Sequence, residues 1–274
     1  MRRVLTSVAL VVLLLNPTAA VSADFEKGVA AYRAGDYATA LREFTRLAEQ
    51  GHISAQFNLA TLYHRGDGVP QDYAEAAKWY RRAAEHGPSL VSRLAQANLG
   101  YIYQTGNGVS QDYREAVRWF RLAAEQGDAP AQFNLGWMYA NGKGVPEDDT
   151  EAVKWYAFAA AQGLAKAQHN LGLMYDNGKG VPKDDQEAVT WYKRAPEQGD
   201  AFAQNNLGFM YEYGEGVLQN YVAAHMWFNI AASNGLESAK GNRDFAESMM
   251  TPEQLAEANR LARECVKKNY KDCG

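Results

Sequence analysis

The sequence predicts an all-α protein of tandem antiparallel helix pairs, and three observations carry that reading. Ala55-Gln56-Phe57-Asn58-Leu59 returns as Ala95-Gln96-Ala97-Asn98-Leu99, Ala131-Gln132-Phe133-Asn134-Leu135, Ala167-Gln168-His169-Asn170-Leu171 and Ala203-Gln204-Asn205-Asn206-Leu207. The last four copies are 36 residues apart, and the first gap is 40 because four extra residues lie around Pro88 to Val91. Tryptophan keeps the same period at Trp79, Trp119, Trp155, Trp191 and Trp227, with a Gly-x-Gly loop before each one. A fixed period in the range of roughly 20–50 residues marks stacked supersecondary units.

Each unit opens on a first helix. Leu59, Leu62 and Tyr63, like Leu135, Met138 and Tyr139, recur at offsets of three and four that place them on one helical face. The loop glycines, Gly66 and Gly68 or Gly142 and Gly144, are expected to end that helix, because glycine accepts the left-handed backbone of a helix C-terminus. A second helix then starts at an acidic cap. Asp72-x-x-Glu75, Asp112-x-x-Glu115, Asp148-x-x-Glu151 and Asp184-x-x-Glu187 have the form of a capping box, in which both side chains satisfy free backbone donors, and Asn220 takes the cap in the fifth copy. The tryptophans fall within this helix, each followed by Tyr or Phe, then alanines and a closing glycine, and are expected to be core.

This pattern resembles the Sel-one-like (SLR) subfamily of tetratricopeptide repeats: Ala-x-x-x-Leu-Gly-x-x-Tyr-x-x-Gly, a Gly-Val-Pro loop, then Ala-x-x-Trp-Tyr-x-x-Ala-Ala-x-x-Gly. The resemblance implies a right-handed α-solenoid of antiparallel helix pairs with helical end caps. It covers five repeats over 52–87, 88–127, 128–163, 164–199 and 200–235. Residues 24–51 look like a shorter capping hairpin turning at Gly35-Asp36-Tyr37, and residues 236–274 like a C-terminal cap whose last helix starts at Thr251-Pro252. The copies depart from the pattern at Ala60 for the helix glycine, at Ser110 and Leu218 for the loop proline, and at Pro196 for a helical alanine.

The resemblance also implies that first helices line a concave surface where a protein or peptide partner docks. The position after the helix glycine supplies Thr61, Tyr101, Trp137, Leu173 and Phe209; four residues earlier stand Phe57, Phe133 and His169, and four later Tyr213. An aromatic strip of this kind has the composition of an interface, with Trp137 as its anchor. Asp176 and Glu212 are expected beside it, favouring a partner with a basic residue.

The first 23 residues read as a secretory signal: Arg2 and Arg3, a mostly apolar run from Val4 to Leu15, and small residues at Val21-Ser22-Ala23. The mature chain is then expected in the periplasm or outside the cell, without membrane insertion, because no later stretch is apolar over the length of about 20 residues that spanning requires. In an oxidising compartment Cys265 and Cys273 are expected to form a disulfide that clips the tail to the preceding helix, the alternative being two free thiols. A net charge of −4, with no Lys/Arg block past residue 3, argues against nucleic acid as a partner.

No motif asks for a catalytic role, a cofactor or a metal. The five histidines, His52, His64, His86, His169 and His225, fall at unrelated repeat positions and read as lone surface residues. The Gly-x-Gly loops follow helices rather than strands, so a phosphate cradle is not indicated. A cysteine-rich branch of the same family, described as penicillin-binding or β-lactam-hydrolysing, is an enzymatic alternative, but cysteine is absent from every repeat here. A structural, peptidoglycan-associated role is a further alternative.

Proline in a helix interior removes a hydrogen bond and typically costs about 3 kcal/mol. Pro196→Ala is therefore expected to raise the melting temperature, measured by circular dichroism. A lowered temperature would refute the helical assignment at that position.

Overall fold

The computed structural model describes residues 19–195, 199–270 and 273, and the side chains from residue 23 onward. Pro196 and residues 1–18 of the expected signal lie outside the described residues. Among those described there are fourteen helices and no strand. They are α1 (Ala19–Arg33), α2 (Tyr37–Glu49), α3 (Ile53–Arg65), α4 (Tyr73–Ala84), α5 (Leu90–Thr105), α6 (Tyr113–Glu125), α7 (Ala129–Ala140), α8 (Asp149–Ala161), α9 (Ala165–Asn177), α10 (Asp185–Arg194), α11 (Ala201–Tyr213), α12 (Tyr221–Ser233), α13 (Ala239–Ser248) and α14 (Pro252–Lys267). They gather into two compact units, one through Ala131 with Lys143–Val145, the other Gln132–Gly142 with Pro146 onward. The all-α class and the helix-pair architecture are those the repeat predicts. None of the described helices is long and apolar enough to cross a membrane.

One contact recurs in four hairpins. The ring after each tryptophan lies flat against the helix glycine of its partner, so that a Cβ on Gly100 would sit 2.5 Å from Phe120, and one on Gly136, Gly172 or Gly208 would sit 2.8, 2.6 or 2.5 Å from Tyr156, Tyr192 or Phe228. These rings are almost fully buried, each burial contributing about 1.5–3 kcal/mol. In the first hairpin Ala60 replaces the glycine, and Tyr80 still packs there, its hydroxyl 3.3 Å from Thr61 Oγ1.

Buried amides join one hairpin to the next. Gln56, Gln96 and Gln168 each donate from Nε2 to the last turn of the preceding helix, at the carbonyls of Ala48 (3.2 Å), Ala84 (3.1 Å) and Ala160 (3.2 Å). Their partners across the hairpin complete the chain, with Gln126 Nε2 donating to Gln96 Oε1 at 2.7 Å and Gln162 Nε2 to Gln132 Oε1 at 2.7 Å. Such buried groups cost about 1–3 kcal/mol when left unpaired, which accounts for the invariance of the Ala-Gln pair within this chain.

The loop glycines have two separate jobs. Gly66, Gly106, Gly178 and Gly214 close their helices in the left-handed conformation. The second glycine lies against the start of the previous hairpin's second helix, and a Cβ on Gly180 would sit 2.2 Å from the Asp149 carbonyl oxygen.

Several sequence expectations are corrected. The acidic caps form, as when Glu75 N–H donates to Asp72 Oδ1 at 2.9 Å, but three of the glutamates turn to the tryptophans instead of the cap backbone. Trp119, Trp155 and Trp191 donate from Nε1 to Glu115, Glu151 and Glu187 at 3.0–3.1 Å, because a buried indole N–H one turn further on needs an acceptor. The capping box closes fully at Thr251 and Gln254. Trp119, Trp155 and Trp227 are core, whereas Trp79 and Trp191 are only half-buried. His225 is not a surface residue: it occupies the repeat position of Val117 and Val189 and is 1% exposed. The four extra residues become one more turn at the start of α5, capped by Ser89. Cys265 and Cys273 form a disulfide.

Gly180→Ala is expected to destabilise the protein by about 2 kcal/mol or more, since it adds a backbone clash to the left-handed penalty of about 1–2 kcal/mol. Gly163→Ala, where φ is +86° and no atom lies within 4 Å of the added methyl, is expected to carry the conformational penalty alone. Equal losses in chemical denaturation would refute the close-approach role.

Candidate functional site: the outward strip of the first helices

In four hairpins the glycine face of the first helix is taken by the partner ring, and the next residue lies about 100° around the helix from that contact. In the first unit Tyr101 is half-buried, but Thr61 and Phe57 are 0% and 1% exposed. Phe57 packs edge-on against Tyr80 at 5.4 Å, and Thr61 Oγ1 bonds the Phe57 carbonyl at 3.0 Å. Phe57 is therefore core rather than strip.

The second unit holds the longer run. Phe133 and Trp137 on α7, His169 and Leu173 on α9, and Phe209 on α11 are all half-buried, and Tyr213 is 62% exposed. Phe133 leans on Tyr156 at 5.8 Å, and Phe209 lies between Phe228 at 5.1 Å and a parallel Tyr213 ring at 6.1 Å. His169 stacks on Phe202 at 6.3 Å and meets Asn206 Nδ2 through Nε2 at 3.1 Å. Burial lowers the His169 pKa against the pull of Asp200, keeping a neutral ring on the strip at pH 7. Asn242 Nδ2 likewise donates to Asn205 Oδ1 at 2.8 Å, tying α13 to α11.

That last bond exposes two residues the sequence reading missed. Phe245 on α13 and Met249, its C-cap, stand 36 residues after Phe209 and Tyr213 and are 51% and 52% exposed. The spacing could have found them; the surrounding motif is lost in α13, and that concealed the register.

The two carboxylates are not rim charges. Asp176 accepts a hydrogen bond from the Tyr192 hydroxyl at 3.1 Å and so faces its own hairpin. Glu212 occupies the same repeat position, but its partner ring is Phe228, which has no hydroxyl. Glu212 is 4% exposed and its Oε2 has no hydrogen-bond partner; burial raises its pKa, against a side-chain hydrogen bond from Tyr213 that lowers it. Its charge raises the pKa of the neighbouring Tyr213 hydroxyl. At the C-terminal end the disulfide holds Asn269 and Tyr270 in the left-handed region, at φ 50° and 64°, with Asn234 Nδ2 donating to the Tyr270 hydroxyl at 3.1 Å. Among the described residues no three His, Cys, Asp or Glu side chains cluster as metal ligands.

The Sel1 repeat profile matches five segments of the chain, 53–88, 93–128, 129–164, 165–200 and 201–236. Two curated relatives, exopolysaccharide production negative regulators of Rhizobium leguminosarum bv. viciae and Rhizobium meliloti, are 40% and 36% identical over 63 residues, 23% of this chain. The chain spans 24% of the length of each. Among solved structures, a protective antigen of uropathogenic Escherichia coli with an SLR fold is similar at TM-score 0.79 and 36% identity, over 92% of this chain and 54% of that one. A Sel1 repeat protein of Oxalobacter formigenes is similar at TM-score 0.71 and 36% identity, over 77% and 85%.

A carboxyl group whose pKa is raised on folding stabilises the native state only while protonated, so its contribution is lost as pH rises through that raised value. Glu212→Gln is expected to stabilise the protein by roughly 1 kcal/mol at pH 7, because burial disfavours the ionised carboxylate, and to change little at pH 4. A pH-independent effect on melting temperature would refute this account of Glu212.

Proposed function

Because the chain belongs to the Sel1 repeat family, we propose that it is an exported scaffold that binds another protein along the outward face of its first helices. The observation that carries this reading is the run of large side chains at one repeat position, Trp137, Leu173, Phe209 and Phe245, with Tyr213 and Met249 one turn further on. Hairpin packing does not bury them, and three are more than half exposed. Rigid aromatic groups with one face already packed are the anchors that dominate protein interfaces.

Export to the periplasm or beyond is supported by the basic-then-apolar start and by the Cys265–Cys273 disulfide, which suits an oxidising compartment. Regulation at the envelope is the process favoured among assembly, signalling and host contact. The names of the two rhizobial relatives support it, although they align over a quarter of their length.

The direct test is photocrosslinking in cells from a photoreactive residue at position 137, followed by identification of the captured protein. With that partner, Trp137→Ala is expected to weaken binding by at least about tenfold, or about 1.4 kcal/mol, while the melting temperature stays nearly constant. A large loss of stability with unchanged affinity would place Trp137 in the core and end the proposal.

A further inference from the structure

A cavity of about 450 Å³ opens in the first unit between α4 and α5, on second-helix residues that the strip does not use. Ala74, Ala77 and Val109 make its apolar floor, and Trp79 and Tyr103 contribute aromatic walls. Its charged groups are unevenly paired. Lys78 and Glu75 neutralise each other at 2.6 Å, which leaves Arg81 and Arg82 facing Glu85, with no carboxylate within ion-pair distance of either guanidinium among the described residues.

Both guanidiniums lie beside aromatic rings. Arg82 lies 4.5 Å over the Trp79 ring, and Arg81 lies 5.8 Å over Tyr103 and 5.5 Å over Trp119 while also donating to the Tyr103 hydroxyl. A ring contact restrains the Arg82 guanidinium without using its N–H groups, and Arg81 keeps donors besides the one on Tyr103, so both remain able to hydrogen-bond a carboxylate.

The fold does not require these cations. At the position of Arg82 the next two repeats carry Leu122 and Phe158, and Phe158 covers Trp155 edge-on at 5.7 Å. Those two tryptophans are buried, whereas Trp79 is half-buried under its arginine. In the second unit the same grouping returns, with Arg194 over Trp191 at 4.5 Å and Lys193 over Tyr211 at 5.6 Å. Trp191 is the other half-buried member of the series.

We infer that the Trp79–Arg81–Arg82–Tyr103 cavity is a binding site for the carboxylates of an acidic peptide segment, and that the Trp191–Arg194 grouping is a second site of the same kind. A peptide fits better than a free oxyanion because the floor is apolar and the cavity exceeds what one carboxylate or phosphate fills. This site is independent of the strip around Trp137.

Fluorescence anisotropy with labelled penta-glutamate tests it on the full chain, with penta-glutamine as the neutral control at matched ionic strength. The net charge of −4 works against non-specific attraction of the acidic probe. Saturable binding of penta-glutamate alone is expected. Arg81→Gln with Arg82→Gln is expected to weaken it by about tenfold at the first site, further substitution of Arg194→Gln to remove the residual binding, and Trp137→Ala to leave it unchanged. Arg82→Gln alone, at an exposed side chain with a ring contact but no ion pair, gives the reading should the double variant fail to fold. The site is overturned by an absence of saturable binding, by equal affinity in folded arginine variants, or by inorganic phosphate displacing the probe as well as unlabelled penta-glutamate does.

Discussion

The rest of the architecture depends on an aromatic ring resting on a helix backbone where a side chain is missing. Gly100, Gly136, Gly172 and Gly208 let Phe120, Tyr156, Tyr192 and Phe228 approach to distances that a Cβ would forbid, and this sets the separation of the two helices in each pair. Turned about 100° along the second helix, the preceding tryptophan reaches its glutamate acceptor one turn back. Turned the same way along the first helix, the following residue is directed outward. The core contact and the exposed strip are thus two faces of one register.

Repetition of that register is secured by polar groups rather than by more apolar surface. Glutamines tie α3, α5 and α9 to the end of the helix before them, and the second loop glycine admits a close backbone approach to the preceding hairpin. Both are intolerant of slippage, since a shift by one residue leaves a buried amide unpaired or drives a Cβ into a carbonyl. Where the series ends, substitutions accumulate: Phe228 removes the partner-ring hydroxyl that Asp176 finds on Tyr192, and Trp227 Nε1 has no acceptor because Ala223 stands where the other copies carry glutamate. In the last repeat the unpaired Glu212 Oε2 stands next to the exposed Tyr213.

The two surfaces use different helices and different chemistry. The first helices present apolar and aromatic groups; the second helices present arginines over the two half-buried tryptophans, Trp79 and Trp191. A scaffold with both can hold two unlike segments at once, a property of repeat proteins whose helices each show one side to solvent.

The sequence by itself determined the repeat, its helical class, the caps and the identity of the outward position, because each rests on local rules: residue spacing, glycine conformation and short-range hydrogen bonds. What lay on either side of that position was decided by tertiary packing. Phe57 and Thr61 follow the strip spacing yet are closed over against Tyr80, while Phe245 and Met249 lie on the strip although the motif around them has decayed. Asp176 and Glu212 read as surface charges, but the partner ring decides whether such a carboxylate is bonded across the hairpin, as Asp176 is by Tyr192, or is not, as Glu212 under Phe228. Burial is a property of what a neighbouring hairpin brings to the same place, and no single segment of sequence contains it.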